Sequence, residues 1–214
     1  MIIKKHTYSL FLGLSLFCLV SCIITPDVKS WIETTNIEEV KGKYHFLSDD
    51  GLKIYLPTVF KKYSTAEYEY LLDSLITTKE DYKLELKRLQ HLREMQGNFY
   101  IFFDEETRAT YTLNTLPYMP LHKSDAQYIL GIISMNNEKI SQKTNLEFTK
   151  LTAKYSASKG AQIFKAIHKV DNLKKQHTYY NASYIVSANG KTIYVQLLTG
   201  FEANFDPFLQ KTIF

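Results

Sequence analysis

Both cysteines of this 214-residue chain, Cys18 and Cys22, lie near its start, and this placement most constrains how the rest can fold. The residues after Cys22 have no thiol for a disulfide or a cysteine metal site. They must therefore be held together by an apolar core. With 45% hydrophobic and 14% aromatic residues, the chain can build such a core, and this composition excludes a disordered stalk.

The first 22 residues have the pattern of a secretory signal. Lys4 and Lys5 precede an apolar run from Tyr8 to Val20. The run is about 13 residues long, whereas a membrane-spanning helix needs roughly 20. The pattern therefore predicts a signal peptide, with an uncleaved N-terminal anchor or cleavage at another position as the alternatives.

The end of this run, Leu19-Val20-Ser21-Cys22, resembles the lipobox of bacterial lipoproteins. The resemblance implies cleavage between Ser21 and Cys22 by signal peptidase II. It also implies acylation of Cys22 on its thiol and its new amine, and two or more acyl chains anchor a protein stably in a lipid bilayer. The aspartate that retains enterobacterial lipoproteins in the inner membrane is absent after Cys22. We therefore expect an envelope lipoprotein on the outer membrane, facing the periplasm.

These features predict three parts: a signal peptide over 1–21, a tether over 22–43 and one α+β domain over 44–214. The formal net charge is +4, and Lys4 and Lys5 in the signal account for part of it. The remaining charge is too small and too scattered for a nucleic-acid-binding face. We expect no nucleic-acid partner and no cofactor.

The pattern of the domain predicts a mainly antiparallel sheet with helices packed on its faces. Alternation predicts strands at Leu52–Leu56, Arg108–Thr115 and Tyr179–Ala188. In the last of these, Tyr180, Ala182, Tyr184 and Val186 are predicted to share one face. Asn189-Gly190 predicts a tight hairpin, because both central residues of a type I′ turn need positive φ. Further predicted elements include strands over 44–47, 98–103, 145–155, 162–170 and 191–198, and helices over 64–76, 79–96, 124–136 and 204–214. Ser64-Thr65-Ala66-Glu67 predicts a capping box at the start of the first helix, and Ser124 is the predicted cap of the third. Gly97 is predicted as the stop of the second helix.

This order looks like the PsbP/Mog1-like α/β/α sandwich. The residues concerned are Gly51-Leu52-Lys53-Ile54-Tyr55-Leu56-Pro57, the Asn189-Gly190 hairpin and the closing Thr212-Ile213-Phe214. The resemblance spans roughly 44–214 and implies an antiparallel sheet with helices on both faces. Members of that group mostly act by binding partners, including photosystem and Ran-cycle proteins. No functional residue is carried over, because no motif marks one here.

Several charged groups have a chemical and a structural interpretation. His91 and Glu94 have an i, i+3 spacing that a metal site can use, but the further ligands are missing, so a solvated helix face is favoured. Asp104-Glu105-Glu106 and Asp49-Asp50-Gly51 could bind Ca²⁺ or act in acid–base chemistry, and polar turns are favoured for both. No metal site is predicted.

The remaining histidines offer no motif of their own. His122 and Asp125 flank a helix start, where a carboxylate complements the helix dipole. His168 and His177 lie beside lysines at strand ends, and protonation-dependent switching is the chemistry open to them. Nucleophile elbows, phosphate loops and dinucleotide fingerprints are absent from the sequence.

Four tyrosines on neighbouring strand patterns form the predicted binding face: Tyr111, Tyr180, Tyr184 and Tyr194. Ordinary sheet packing explains them as well, and a concave face for a peptide or an apolar ligand is the alternative.

Three functions stay open. The first is a non-enzymatic lipoprotein whose domain binds an envelope protein. The second is a carrier of a small apolar ligand or peptide, and the third is a hydrolase with a site assembled from His122 or His168 and the Asp104 cluster.

Overall fold

The computed structural model describes residues 41–76, 78–158 and 160–214. The predicted signal peptide, the cleavage site Ser21/Cys22 and most of the predicted tether lie outside the described residues. The first strand begins at Lys43, one residue before the predicted domain boundary. Within these ranges no helix is long and apolar enough to cross a membrane.

Nine strands and four helices make up the described chain. The strands are β1 (Lys43–Leu47), β2 (Leu52–Leu56), β3 (Lys61–Tyr63), β4 (Phe99–Phe103), β5 (Thr110–Leu116), β6 (Leu146–Ser158), β7 (Ala161–Asn172), β8 (His177–Ala188) and β9 (Lys191–Thr199). The helices are α1 (Thr65–Leu75), α2 (Lys79–Arg93), α3 (Lys123–Ser141) and α4 (Asp206–Leu209).

Seven strands form one antiparallel sheet in the order β3-β4-β5-β9-β8-β7-β6, and β1 and β2 form a separate hairpin. Successive side chains of a strand point to opposite faces. In β5, Tyr111 and Leu113 therefore pack on one face, while Asn114 reaches the other and donates to the Leu92 carbonyl of α2. The predicted α+β class with a mainly antiparallel sheet is confirmed.

One face of the sheet, the hairpin face, is covered by β1, β2 and the C-terminal segment. Leu47, Leu52, Ile54 and Leu56 of the hairpin are at most 1% exposed. They share one core with sheet and C-terminal residues that include Phe102, Leu113, Tyr184, Val195, Phe205 and Leu209. The C-terminal segment also pairs with the hairpin, because Lys53 and Ile213 exchange two backbone hydrogen bonds.

The opposite face, the helix face, is covered by the three longer helices. Tyr68 and Leu72 of α1 and Leu89 of α2 pack on Ile101 and Phe103 of β4. A second cluster forms where α3 packs on β7 and β8, through Ala126, Phe164, Ala166 and Ile185. The three longer helices thus lie on one face of the sheet, and the hairpin and the short α4 lie on the other.

Local sequence signals explain the helix starts. Ser64 Oγ accepts from the Glu67 N–H while the Glu67 carboxylate accepts from the Ser64 N–H, which is the predicted capping box. Thr78 accepts from the Asp81 N–H at the start of α2. At α3 the cap is His122, whose N–H donates to Asp125, and not Ser124 as predicted.

Three boundaries differ from prediction. Helix α2 ends at Arg93 with Glu94 as its cap, so Gly97 is not its stop. Helix α3 continues to Ser141, five residues past the predicted end. The predicted helix over 204–214 is limited to Asp206–Leu209, because the residues after it extend along β2.

Candidate binding cleft

The structure separates the four tyrosines of the predicted binding face. Tyr111 and Tyr184 are each 1% exposed within the core beneath the hairpin. Tyr194 lies on the helix face, beside Phe164 and Ile185, so the prediction of one shared face is wrong for this residue. Tyr180 alone is half-exposed at a cleft on the hairpin face.

This cleft has a volume of about 180 Å³ and opens where the hairpin and α4 leave the sheet uncovered. Strands β7, β8 and β9 form its floor, and the loop after β9 forms one side. Its lining residues are Lys165, Ile167, Tyr180, Ala182, Leu197, Thr199, Glu202, Ala203 and Asn204.

A small residue between two larger ones makes the depression. Ile167, Ala182 and Leu197 are direct cross-strand neighbours on β7, β8 and β9. Because the alanine has only a methyl group, the row is lowest at its centre. Tyr180 and Thr199, the next cross-strand pair on this face, border the depression. The floor is therefore apolar and its border is polar.

A partly buried ion pair fixes the side of the cleft nearest α4. Lys165 Nζ donates to both carboxylate oxygens of Asp206, at 2.7 Å and 2.6 Å. The Tyr184 hydroxyl donates to the same carboxylate at 3.1 Å. Burial, and then the Asp206 charge, raise the pKa of Tyr184, so this phenol stays protonated and keeps donating.

Hydrogen bonds also fix the loop on the other side. Thr199 Oγ1 donates to the Phe201 carbonyl at 2.6 Å, and the Asp206 N–H donates to Asn204 Oδ1 at 3.2 Å. Glu202 is exposed at the rim. The cleft thus offers a preformed apolar floor and a carboxylate at its edge, an arrangement suited to binding.

The groups proposed for a hydrolytic site are not brought together. Asp104 follows Phe103 at the end of β4. One cross-strand row runs from Phe103 through Thr110, Leu198 and Asn181 to His168. His168 is therefore four strand spacings from Phe103, which amount to roughly 19 Å. His122 caps α3 and follows the end of β5, whereas the turn that contains Asp104 precedes the start of β5. The two residues are therefore joined to opposite ends of this strand. This geometry counts against the hydrolase alternative.

The acidic clusters have structural roles. Asp104 accepts from the Glu106 N–H and the Thr107 hydroxyl, which closes its own turn. Asp50 accepts from the Tyr100 hydroxyl at 2.5 Å, which fastens the hairpin turn to β4. Across the described ranges, no group of three or more His, Cys, Asp and Glu side chains could hold a metal ion.

The predicted histidine sites are likewise dispersed. His91 and Glu94 are exposed on α2, and His177 is exposed at the start of β8. His168 is 5% exposed beneath the helices. Burial, and then the charge of Lys150, lower the pKa of His168, so its imidazole is neutral at pH 7.

A second polar group on the helix face joins α2 to the sheet. Arg88 donates to both Glu85 oxygens at 2.8 Å and 2.6 Å, and to Gln196 Oε1 at 3.0 Å. Gln196 in turn donates to the Tyr194 hydroxyl at 2.6 Å. Because these groups bind one another, the network stabilises the helix–sheet contact and leaves the cleft as the better candidate site.

No family model and no curated protein matches this chain. Solved structures with a similar fold include the following two. Cyanobacterial PsbP (CyanoP) from Synechocystis sp. PCC 6803 aligns over 78% of this chain and 85% of its own, with a TM-score of 0.46 and 11% identity. The Ran-binding protein Mog1p of Saccharomyces cerevisiae aligns over 76% and 78%, with a TM-score of 0.41 and 9% identity. The likeness concerns the fold alone.

Sequence reasoning identified Tyr180 and missed the other residues that shape the cleft. Lys165 reads as one charge on an alternating strand, and Asp206 as the first turn of a helix. They are 41 residues apart, so no local pattern could pair them. Ala182 was placed on the correct face, and its effect on cleft depth depends on which strands flank β8.

Proposed function

We propose that this chain is a lipid-anchored, non-enzymatic binding module of the bacterial cell envelope, on the outer membrane and facing the periplasm. The lipobox-like Leu19-Val20-Ser21-Cys22 supports the anchor. The observation that carries the binding role is the cleft over Ile167, Ala182 and Leu197, whose floor is apolar. Lys165 and Asp206 at its edge are bound to each other and form no arrangement of nucleophile and base.

The size of the cleft favours a protein partner over a small-molecule cargo. Ligand pockets that enclose a small molecule usually measure about 300–1,000 Å³. At about 180 Å³ and open on one side, this cleft accommodates one apolar side chain of a larger partner. The carboxylate of Glu202 at the rim then favours a basic or amide neighbour on the partner.

Site-specific photocrosslinking in membranes tests the binding role. A photoreactive phenylalanine analogue replaces Tyr180 in the full chain, and a matched variant carries it at Tyr128 on α3, which is 72% exposed on the helix face. We expect a discrete crosslinked protein from position 180 and none from position 128. Equal products from both positions, or none from position 180, contradict the proposed site.

A cleft-filling variant gives a second, independent readout. Ala182→Met adds side-chain volume to the floor and is expected to abolish the product from position 180. Ala157→Met on the exposed part of β6 is the control and is expected to leave it unchanged. Urea unfolding of both variants confirms that any loss reflects a filled cleft and not an unfolded domain.

The anchor has its own test. Mass analysis of the membrane fraction is expected to show a chain that begins at an acylated Cys22. Cys22→Ala is expected to move the protein out of that fraction. An intact Met1, or a different N-terminus with Cys22 unmodified, contradicts lipid anchoring. The crosslinking result tests the binding role independently of that outcome.

A further inference from the structure

The outward side of the β1–β2 hairpin carries a contiguous exposed aromatic surface. Tyr44 and Phe46 on β1 are 52% and 61% exposed, and Ile213 of the C-terminal segment is 49% exposed. Their inward neighbours Leu47, Leu52 and Ile54 are buried, as strand alternation requires. We name this surface the outer hairpin face and define it as Tyr44, Phe46, Lys53, Tyr55, Lys211 and Ile213.

The outer hairpin face has an ordered arrangement. Phe46 pairs with Lys53, which pairs in turn with Ile213, and Tyr44 pairs with Tyr55 in the next row. The Tyr44 and Tyr55 rings meet edge to face with centroids 4.9 Å apart, and Lys211 Nζ lies 4.5 Å from the centre of the Tyr55 ring. The six side chains include aromatic rings and ammonium groups but no carboxylate.

This combination matches the chemistry of the bilayer interface. Tyrosine rings are enriched at the headgroup level, where an apolar body and a polar tip are both satisfied. Lysine side chains bury their stems along apolar surface and present their charge to anionic headgroups. Other large exposed side chains, such as Tyr70 and Tyr128, lie on helices of the opposite face.

The position of the hairpin along the chain indicates that the bilayer is the partner of this face. About 20 residues separate Cys22 from Lys43, and even fully extended they span at most about 70 Å. The hairpin is the first described element after the proposed anchor, so it stays within this distance of the bilayer. Tethering at this distance raises the effective concentration of bilayer at the hairpin, so weak contacts are sufficient for docking.

We propose that the outer hairpin face lies on the headgroup region of the bilayer that holds the acylated Cys22. This inference rests on the proposed lipid anchor and adds a defined contact surface to it. It directs the helix face away from the membrane, because the helices pack on the other side of the sheet.

Depth-dependent fluorescence quenching tests the contact. The acylated full chain is reconstituted in vesicles of phosphatidylethanolamine and phosphatidylglycerol. Lys53→Cys carries an environment-sensitive fluorophore, Tyr70→Cys on α1 is the matched probe at 83% exposure, and chain without an added cysteine controls for background labelling. We expect lipids spin-labelled at the headgroup to quench the Lys53 probe several-fold more strongly than the Tyr70 probe.

Paired variants show whether the aromatic side chains cause the contact. In the Lys53→Cys background, Tyr44→Ser with Phe46→Ser is expected to reduce quenching to the level of the Tyr70 probe, while the chain still floats with vesicles. Tyr70→Ser with Tyr128→Ser removes as many exposed rings from the helix face and is expected to change nothing.

The outcomes separate the two proposals. Flotation with equal quenching at both positions overturns the docking face and leaves the anchor intact. Failure of the wild-type chain to float overturns the anchor and the docking face with it. If the emission of the Lys53 probe is already blue-shifted in detergent and does not change when vesicles are added, docking on the bilayer is overturned and another occupant covers this face. If that shift depends on protein concentration, the occupant is a second copy of the chain.

Discussion

Lys165 on β7 and Asp206 at the start of α4 form an ion pair in which one ammonium group donates to both carboxylate oxygens. Both side chains are less than one-fifth exposed, at 18% and 16%. The pair joins the strand that lines the cleft to the C-terminal segment that covers the sheet. Lys165 is also directly opposite Lys154 in the β6–β7 register, a like-charge pair that Asp206 offsets.

Asp206→Asn is expected to lower the free energy of unfolding by about 2 kcal/mol, because a half-buried ammonium group loses its charged acceptor. Urea unfolding measures the change. Arg93→Gln removes the exposed Arg93–Glu69 pair, with side chains 54% and 38% exposed, and is the matched control. Its effect is expected to be much smaller, since exposed ion pairs contribute little. Equal losses in the two variants contradict a special role for the cleft pair.

Gly97→Ala is expected to be strongly destabilising, by more than about 2 kcal/mol. The residue has φ +95°, and a Cβ there lies 1.6 Å from the Thr115 carbonyl oxygen, so strand β5 would have to move. Gly131→Ala on α3 is the control, because a Cβ there meets nothing within 4 Å. That change is expected to stabilise the protein by about 0.5–1 kcal/mol through helix propensity. Thermal unfolding of both variants provides the comparison.

A double-mutant cycle on α2 measures the helix–sheet network. Glu85 and Arg88 are 17% and 21% exposed and are joined by two hydrogen bonds. For Glu85→Gln and Arg88→Met we expect a coupling energy of about 1–2 kcal/mol in urea unfolding. Gln90 and Glu94 on the exposed side of the same helix, joined by one hydrogen bond of 2.9 Å, are expected to show almost none. A coupling near zero at Glu85–Arg88 would contradict the structural role given to the network.

Local signals predicted the elements that depend on neighbouring residues. Asn189 and Gly190 both have positive φ, as the type I′ turn requires. The alternation of β8 placed Ala182, Tyr184 and Val186 together, and all three lie in the hairpin-face core. The capping box at Ser64 was predicted for the same reason, since its two partners are three residues apart.

The features that were predicted wrongly or missed depend on residues far apart in the chain. Strand β3 has three residues, two of them lysines, and is recognisable only by its pairing with β4. Gly97 suggested a helix stop. In the structure a Cβ at this position would collide with the Thr115 carbonyl oxygen, and only the folded sheet brings Thr115 near. The strand order that brings Ile167, Ala182 and Leu197 together is likewise a long-range property, so the cleft had no local signal.

Acid is expected to destabilise the protein in a window set by two histidines, the buried His168 and the partly buried His45. Burial, and then Lys150, lower the pKa of His168 below 6.5, and burial followed by Lys43 and Lys62 does the same for His45. The unfolded chain therefore binds these protons first as the pH falls. Stability is full above about pH 7, declines as the pH falls through 6.5, and levels off below the folded pKa values.

Urea unfolding between about pH 7.5 and pH 5.5 isolates this effect, because carboxyl side chains ordinarily titrate at about pH 4. The pKa values of Glu67 and Asp171, for example, are held below the ordinary 4.5 and 3.8 by hydrogen bonds from Ser64 and from Thr178 and Lys169. We expect the wild type to lose stability across the window. His168→Gln with His45→Gln is expected to flatten the profile, since neither replacement titrates, while His91→Gln on the exposed side of α2 leaves the slope unchanged. A slope that persists in the double variant assigns the acid sensitivity to other groups and contradicts the prediction.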